Sequence, residues 1–166
     1  MITRRNIRVK IMQTLYSLEA QENTKAGEAQ KILQKHFDHS GQLLVYLIFF
    51  LTEIARYAET DSARRSSKHL PTELDKNVNI KLAGNQLLWN ILEQESYQKA
   101  LKEVKPELTD HAELVRKLYL ELRESGSYKK YINAEARDKK QEKEILEYIF
   151  NDFLLPNEAF ESHLEE

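Results

Sequence analysis

Cysteine is missing from this chain, and glycine and proline are scarce, with four and three occurrences in 166 residues. The lack of cysteine rules out disulfides, thiolate metal sites and a thiol nucleophile, and suits a reducing compartment. Average usage is roughly 7% for glycine and 5% for proline, so few positions are left for tight hairpin turns, and helix is favoured. Four scattered glycines also exclude a phosphate-cradling Gly-x-x-x-x-Gly-Lys loop. No alternating apolar pattern is long enough to build a sheet, and no internal repeat or low-complexity tract is present. The first residues carry charge but no signal-peptide core followed by a small-residue cleavage site. We therefore expect a cytoplasmic protein.

What is present is 41% hydrophobic residues at a length suited to one domain with a real core. The expected fold is all-α, a compact multi-helix bundle over residues 1–166. A first helix should cover residues 3–21, with Thr3 as N-cap and a break at 23–27. A second follows over 28–36, carrying Ile32, Leu33 and Phe37, and Asp38-His39-Ser40-Gly41 should separate it from a central helix reaching about residue 66. The central helix contains the longest apolar run, Leu43 to Leu51, which is about half of the roughly 20 residues a membrane span requires. It reads as buried in protein, not in lipid. Residues 69–79, with Pro71, Asp75, Asn77 and Asn79, should form the longest loop.

Further helices are expected from residue 80, with Leu82, Leu87, Leu88, Trp89, Ile91 and Leu92 on a buried side, and through Tyr97, Leu101 and Val104 as far as Pro106. Another should run over 109–124, started by Thr109, with Leu114, Val115, Leu118, Leu120 and Leu122 as its apolar set. A short helix over 128–134 and a long one over 144–154 complete the pattern, the latter facing inward with Ile145, Leu146, Ile149, Phe150 and Phe153. Phe160 and Leu164 then lie four apart, as in a further amphipathic helix.

Catalytic and metal-binding chemistry is hard to find. His36 and His39 are three apart but have no second pair, and His69, His111 and His163 lack any motif that would make them acids, bases or ligands. No enzyme activity, metal or cofactor is expected. Trp89 and most tyrosines belong to helical apolar stripes. The mixed charges of residues 137–144 read as a solvated helix start. Arg64, Arg65 and Lys68 sit where cations suit the C-terminal end of a helix dipole, and their role is left open.

The first helix is different. Arg4, Arg5, Arg8 and Lys10 all precede the first acid, Glu19, although a helix N-terminus disfavours cations by roughly 0.3–1 kcal/mol each. The net charge is only −2, so the cluster is a local asymmetry that calls for an anion. At about 100° per residue, Ile7, Ile11, Leu15 and Leu18 form an expected buried stripe, widened by Val9, Met12 and Tyr16. Asn6, Lys10, Gln13 and Ser17 should face water or a partner.

The segment Arg4-Arg5-Asn6-Ile7-Arg8-Val9-Lys10-Ile11-Met12-Gln13-Thr14-Leu15-Tyr16 resembles the opening helix of the NusB transcription-antitermination family, in its arginine cluster, apolar stretch and Gln-x-Leu-Tyr ending. The rest of the chain, including Lys68-His69-Leu70-Pro71-Thr72-Glu73, is similar to the N-terminal portion of longer NusB-like proteins. The resemblance implies an all-α fold and binding of boxA RNA in nascent ribosomal-RNA transcripts. It also implies pairing with NusE, a small-subunit ribosomal protein, within the transcription elongation complex. Carried over by position, the RNA-binding residues are Arg4, Arg5, Arg8, Lys10, Gln13 and Tyr16. Two segments of the family's C-terminal half, an Ile-Asn-Glu-Ala helix start and a Phe-Val-Asn-Gly stretch, have no counterpart. Ile132-Asn133-Ala134-Glu135-Ala136 is only superficially similar to the first. The expectation is thus the N-terminal part of a longer protein, capable of self-association through uncovered apolar surface. The rival expectation is a helical protein-interaction module that docks on an acidic protein and never meets RNA.

Overall fold

The computed structural model describes residues 4–20, 26–67, 69–70, 72, 79–106, 111–134 and 137–165. The fold is all-α, with no strand among the described residues. Thr3, most of the break at 23–27, Lys68, most of the 69–79 loop, and Thr109 as a helix start lie outside the described residues. In chain order the helices are α1 (Arg4–Glu19), α2 (Ala26–Ser66), α3 (Gln86–Leu92), α4 (Glu95–Val104), α5 (Ala112–Glu124), α6 (Gly126–Asn133), α7 (Lys139–Tyr148) and α8 (Glu158–Glu165), with a π-helical turn at Ile149–Leu154. The chain divides into two compact units, with the boundary in α2 between Val45 and Tyr46.

The two helices expected over 28–36 and 43–66 are a single helix of 41 residues. Asp38-His39-Ser40-Gly41 has turn-forming composition, but each polar group is accommodated in helix. The Ser40 hydroxyl donates to the His36 carbonyl at 2.8 Å, and Asp38 accepts from Gln34 at 2.9 Å. One mid-helix glycine costs about 1 kcal/mol relative to alanine, too little to stop a helix favoured on both sides. The helix includes a stretch long and apolar enough to cross a bilayer by length and composition, of which 39% is buried in protein.

The second unit holds a dense core. On α5, Val115, Leu118, Tyr119 and Leu122 follow the i, i+3, i+4, i+7 spacing and are all buried, so Tyr119 takes the place expected for Leu114 and Leu120. Ile54, Ala58, Leu82, Ile149, Leu154 and Phe160 are shut off from solvent. Tyr119 packs against Tyr57 with ring centroids at 5.2 Å and edge-on to Tyr128 at 6.3 Å. Phe160 on α8 stacks near Phe50 of α2 at 4.8 Å.

Local chemistry sets the helix starts. The Asn85 side chain caps α3 by accepting from the Leu87 and Leu88 amides at 3.1 Å each, which puts the start at 86 and residues 81–84 in a turn. Asp138 accepts from the Lys140 amide at 3.2 Å, so α7 opens five residues before the expected 144. Glu142, within the run read as solvated, is buried instead. Its carboxylate accepts from the Gln86 amide at 3.0 Å and its carbonyl from Asn85 at 3.1 Å. The buried Lys81 ammonium donates to the carbonyls of Tyr131 and Ala134 at 3.0 and 2.8 Å, neutralising the end of α6. In the π turn the Leu155 amide donates to the Phe150 carbonyl, five residues back, at 3.1 Å. That winding brings Ile149 and Leu154 to the same buried side, although five residues of α-helix would set them about 140° apart. Phe150 and Phe153, expected inward, are only partly covered.

Candidate nucleic-acid interface

In the first unit, α1 departs from the expected orientation. Its buried residue is Thr14, with Ile7, Lys10 and Leu18 partly covered. Ile11, Leu15, Val9, Met12 and Tyr16 are exposed, Met12 at 68% and Tyr16 at 76%. The buried arc is thus centred near Thr14 and Ile7, about 60° from the middle of the apolar stripe read from the sequence. The Thr14 hydroxyl donates to the Lys10 carbonyl at 2.8 Å and the Ser17 hydroxyl to the Gln13 carbonyl at 2.9 Å. These internal bonds satisfy hydroxyls that would otherwise compete with the helix.

That rotation decides which candidate residues act together. At about 100° per residue, Arg4, Arg8, Arg5 and Tyr16 fall within one arc of about 120°, together with Leu15 and Met12. All are exposed. Over the 12 residue steps from Arg4 to Tyr16 the surface extends about 18 Å along the axis. Its first two turns present guanidinium groups, and its last two present a tyrosine ring, a thioether and leucine. The side chains of Arg4, Arg5 and Arg8 make no ion pair or hydrogen bond among the described residues. Lys10 lies nearly opposite and is half-buried, while Gln13 is exposed but roughly 60° beyond Tyr16. The structure brings together four of the six sequence-derived residues and separates Lys10 and Gln13 from them.

The second cationic patch is different in kind. Arg65 reaches Asp61 at 4.0 Å, and Arg123 of α5 reaches the same carboxylate at 3.2 Å. Asp61 is buried, so Arg65 belongs to an internal charge cluster, whereas Arg64 is exposed. The buried hydroxyls beside this cluster are shifted upward. Desolvation raises the pKa of Tyr119 and Tyr128, which share a hydrogen bond and feel Asp61 and Arg123; away from this cluster, beside Glu142 and Arg137, burial raises that of Tyr131 as well.

Two arrangements escaped sequence reading. His111 and His163 sit edge to face with ring centroids at 4.0 Å, and His163 Nε2 shares a hydrogen bond with the Tyr46 hydroxyl. No local spacing signals a pair this distant in sequence. No cluster of three or more metal-ligating side chains exists among the described residues. The other is a groove of about 440 Å³ lined by α2, α3 and α4. Trp89, placed on a buried side by its periodicity, stands 39% exposed on its wall, with its indole N–H donating to the Ala83 carbonyl at 2.9 Å. No family model, curated protein or solved structure matches the chain.

Proposed function

We propose that the chain is a nonenzymatic RNA-binding factor of the NusB antitermination type, using the exposed face of α1 to hold single-stranded, boxA-like RNA. The observation that carries this reading is the shared arc of Arg4, Arg5, Arg8 and Tyr16. Guanidinium groups bridge phosphate oxygens through a planar fork and stack on unpaired bases, and an exposed tyrosine offers a second stacking surface. The absence of internal partners for the three arginines among the described residues leaves their donors for a ligand. By the same resemblance, NusE and the elongation complex are its proposed partners and the cytoplasm its compartment, with no cofactor or membrane.

The test compares binding to boxA-like RNA and to a scrambled RNA of equal length at two salt concentrations. Three phosphate contacts to a single strand predict a log–log salt slope near −2, and Arg4→Glu/Arg5→Glu/Arg8→Glu should abolish binding while leaving helical circular dichroism unchanged. Equal binding to both RNAs would reduce the surface to generic phosphate attraction. A second reading, docking on an acidic protein, draws on Met12 and Leu15, which add apolar surface to the same arc, and on Val9 at its edge. A partner complex that survives nuclease treatment would select it.

A further inference from the structure

The groove between α2, α3 and α4 has both chemical characters of a small-ligand site: apolar walls and a few convergent polar groups. Phe49, Leu92 and Leu101 line it. At its edge, Arg56 lies over the Trp89 ring, 5.8 Å from the centroid, and pairs with Glu53 at 3.7 Å. That separation is well beyond the roughly 2.7–2.9 Å of a tight charged hydrogen bond. The Glu53 side chain is 17% exposed, and burial raises its pKa, an effect that Arg56 partly offsets. Tyr97 is only 7% exposed and its hydroxyl has no hydrogen-bond partner among the described residues, although it feels the charges of both Arg56 and Glu53. A buried hydroxyl without a partner is costly, and this one is closed off from the groove itself.

The charges select the ligand. A simple organic anion would gain Arg56 but strip Glu53 of its counter-ion and lie beside it. A simple cation would gain Glu53 and meet Arg56. A ligand carrying both charges on adjacent atoms exchanges one loose pair for two and leaves neither side chain unpaired. The apolar lining and the indole face then suit an aliphatic or aromatic side chain. We propose that this groove binds a free α-amino acid with an apolar side chain, its carboxylate on Arg56 and its ammonium on Glu53. This site is independent of the RNA reading of α1.

Trp89 is the chain's one tryptophan, so its fluorescence reports on this groove. We would titrate the full chain with L-leucine and L-phenylalanine, and measure equilibrium dialysis of the same ligands in radiolabelled form. The expected result is saturable binding, weakened at least tenfold for 4-methylpentanoate, which lacks the ammonium, and for 3-methylbutylamine, which lacks the carboxylate. Arg56→Gln and Glu53→Gln should each lower affinity at least tenfold, and Arg56→Lys should recover part of it. The wild-type analogue series decides the matter even if a variant folds poorly. No binding at millimolar concentration, equal binding of the one-charge analogues, or binding of adenosine monophosphate or an amphipathic peptide in place of the amino acids would overturn the proposal.

Discussion

Helices α1 and α5 have similar lengths and similar numbers of apolar residues, yet they use them in opposite ways. On α5 the large side chains Leu118, Tyr119 and Leu122 are shut inside the second unit. On α1 the buried residue is a threonine, and leucine, methionine and tyrosine face outward beside three arginines. Apolar periodicity therefore reports that a helix has a sticky side. Which neighbour covers that side is a tertiary fact, and on α1 the exposed arc mixes the two chemistries, cationic and apolar, that recognise unstacked nucleic acid.

Truncation tests this contrast most strongly. Leu118→Ala should destabilise the second unit by about 3 kcal/mol, the usual cost of a fully buried leucine with its cavity. Leu15→Ala should change stability by less than about 0.5 kcal/mol, as for a surface site. Urea unfolding followed by circular dichroism measures both, and a large loss at Leu15 would place α1 in a core after all. Next comes Asp61→Asn, which leaves Arg65 and Arg123 without their shared carboxylate. Both arginines are partly solvated, so a loss of about 2 kcal/mol is expected, below the 3–5 kcal/mol of a fully buried pair.

Alkaline pH should separate the two regions without mutation. The buried Tyr119 and Tyr128 hydroxyls titrate above their ordinary value because burial penalises phenolate. Unfolded tyrosines ionise near pH 10. The folded state therefore holds protons that the unfolded state has released, so stability is full below about pH 10 and is lost as pH rises from there toward the folded pKa. Tyr128→Phe should flatten that alkaline decline in a denaturation series run at several pH values, and an unchanged slope would exclude this hydroxyl as its source. Within the second unit, the smallest effect on stability belongs to Gly84→Ala. Its added Cβ would come within 2.9 Å of the Arg137 guanidinium, whose Nη1 donates to the Gly84 carbonyl at 2.7 Å. Because a long side chain gives way easily, a loss below about 1 kcal/mol is expected in thermal unfolding.

The sequence carried the all-α class through its scarcity of glycine and proline, and the end of α4 through Pro106. It misplaced the features that depend on side-chain satisfaction at a distance. Ser40 and Asp38 look like breakers until their i−4 partners are known, Glu142 looks solvated until the Gln86 amide is brought to it, and the π turn leaves no periodic signature. For the site, arginine density was legible. Its alignment with Tyr16, and the segregation of Lys10 and Gln13, required knowing which side of α1 is covered.

The Lys81 ammonium also bears on the order of events during folding. Its bonds to Tyr131 and Ala134 span 50 and 53 positions, and the Asn85 bond to Glu142 spans 57. Each helix of this unit can form from local bonds, but these three require closure of long loops whose entropy must be overcome first. They should be among the last to appear in refolding, so that protection of the Gln86 amide held by Glu142 marks the moment the second unit is complete.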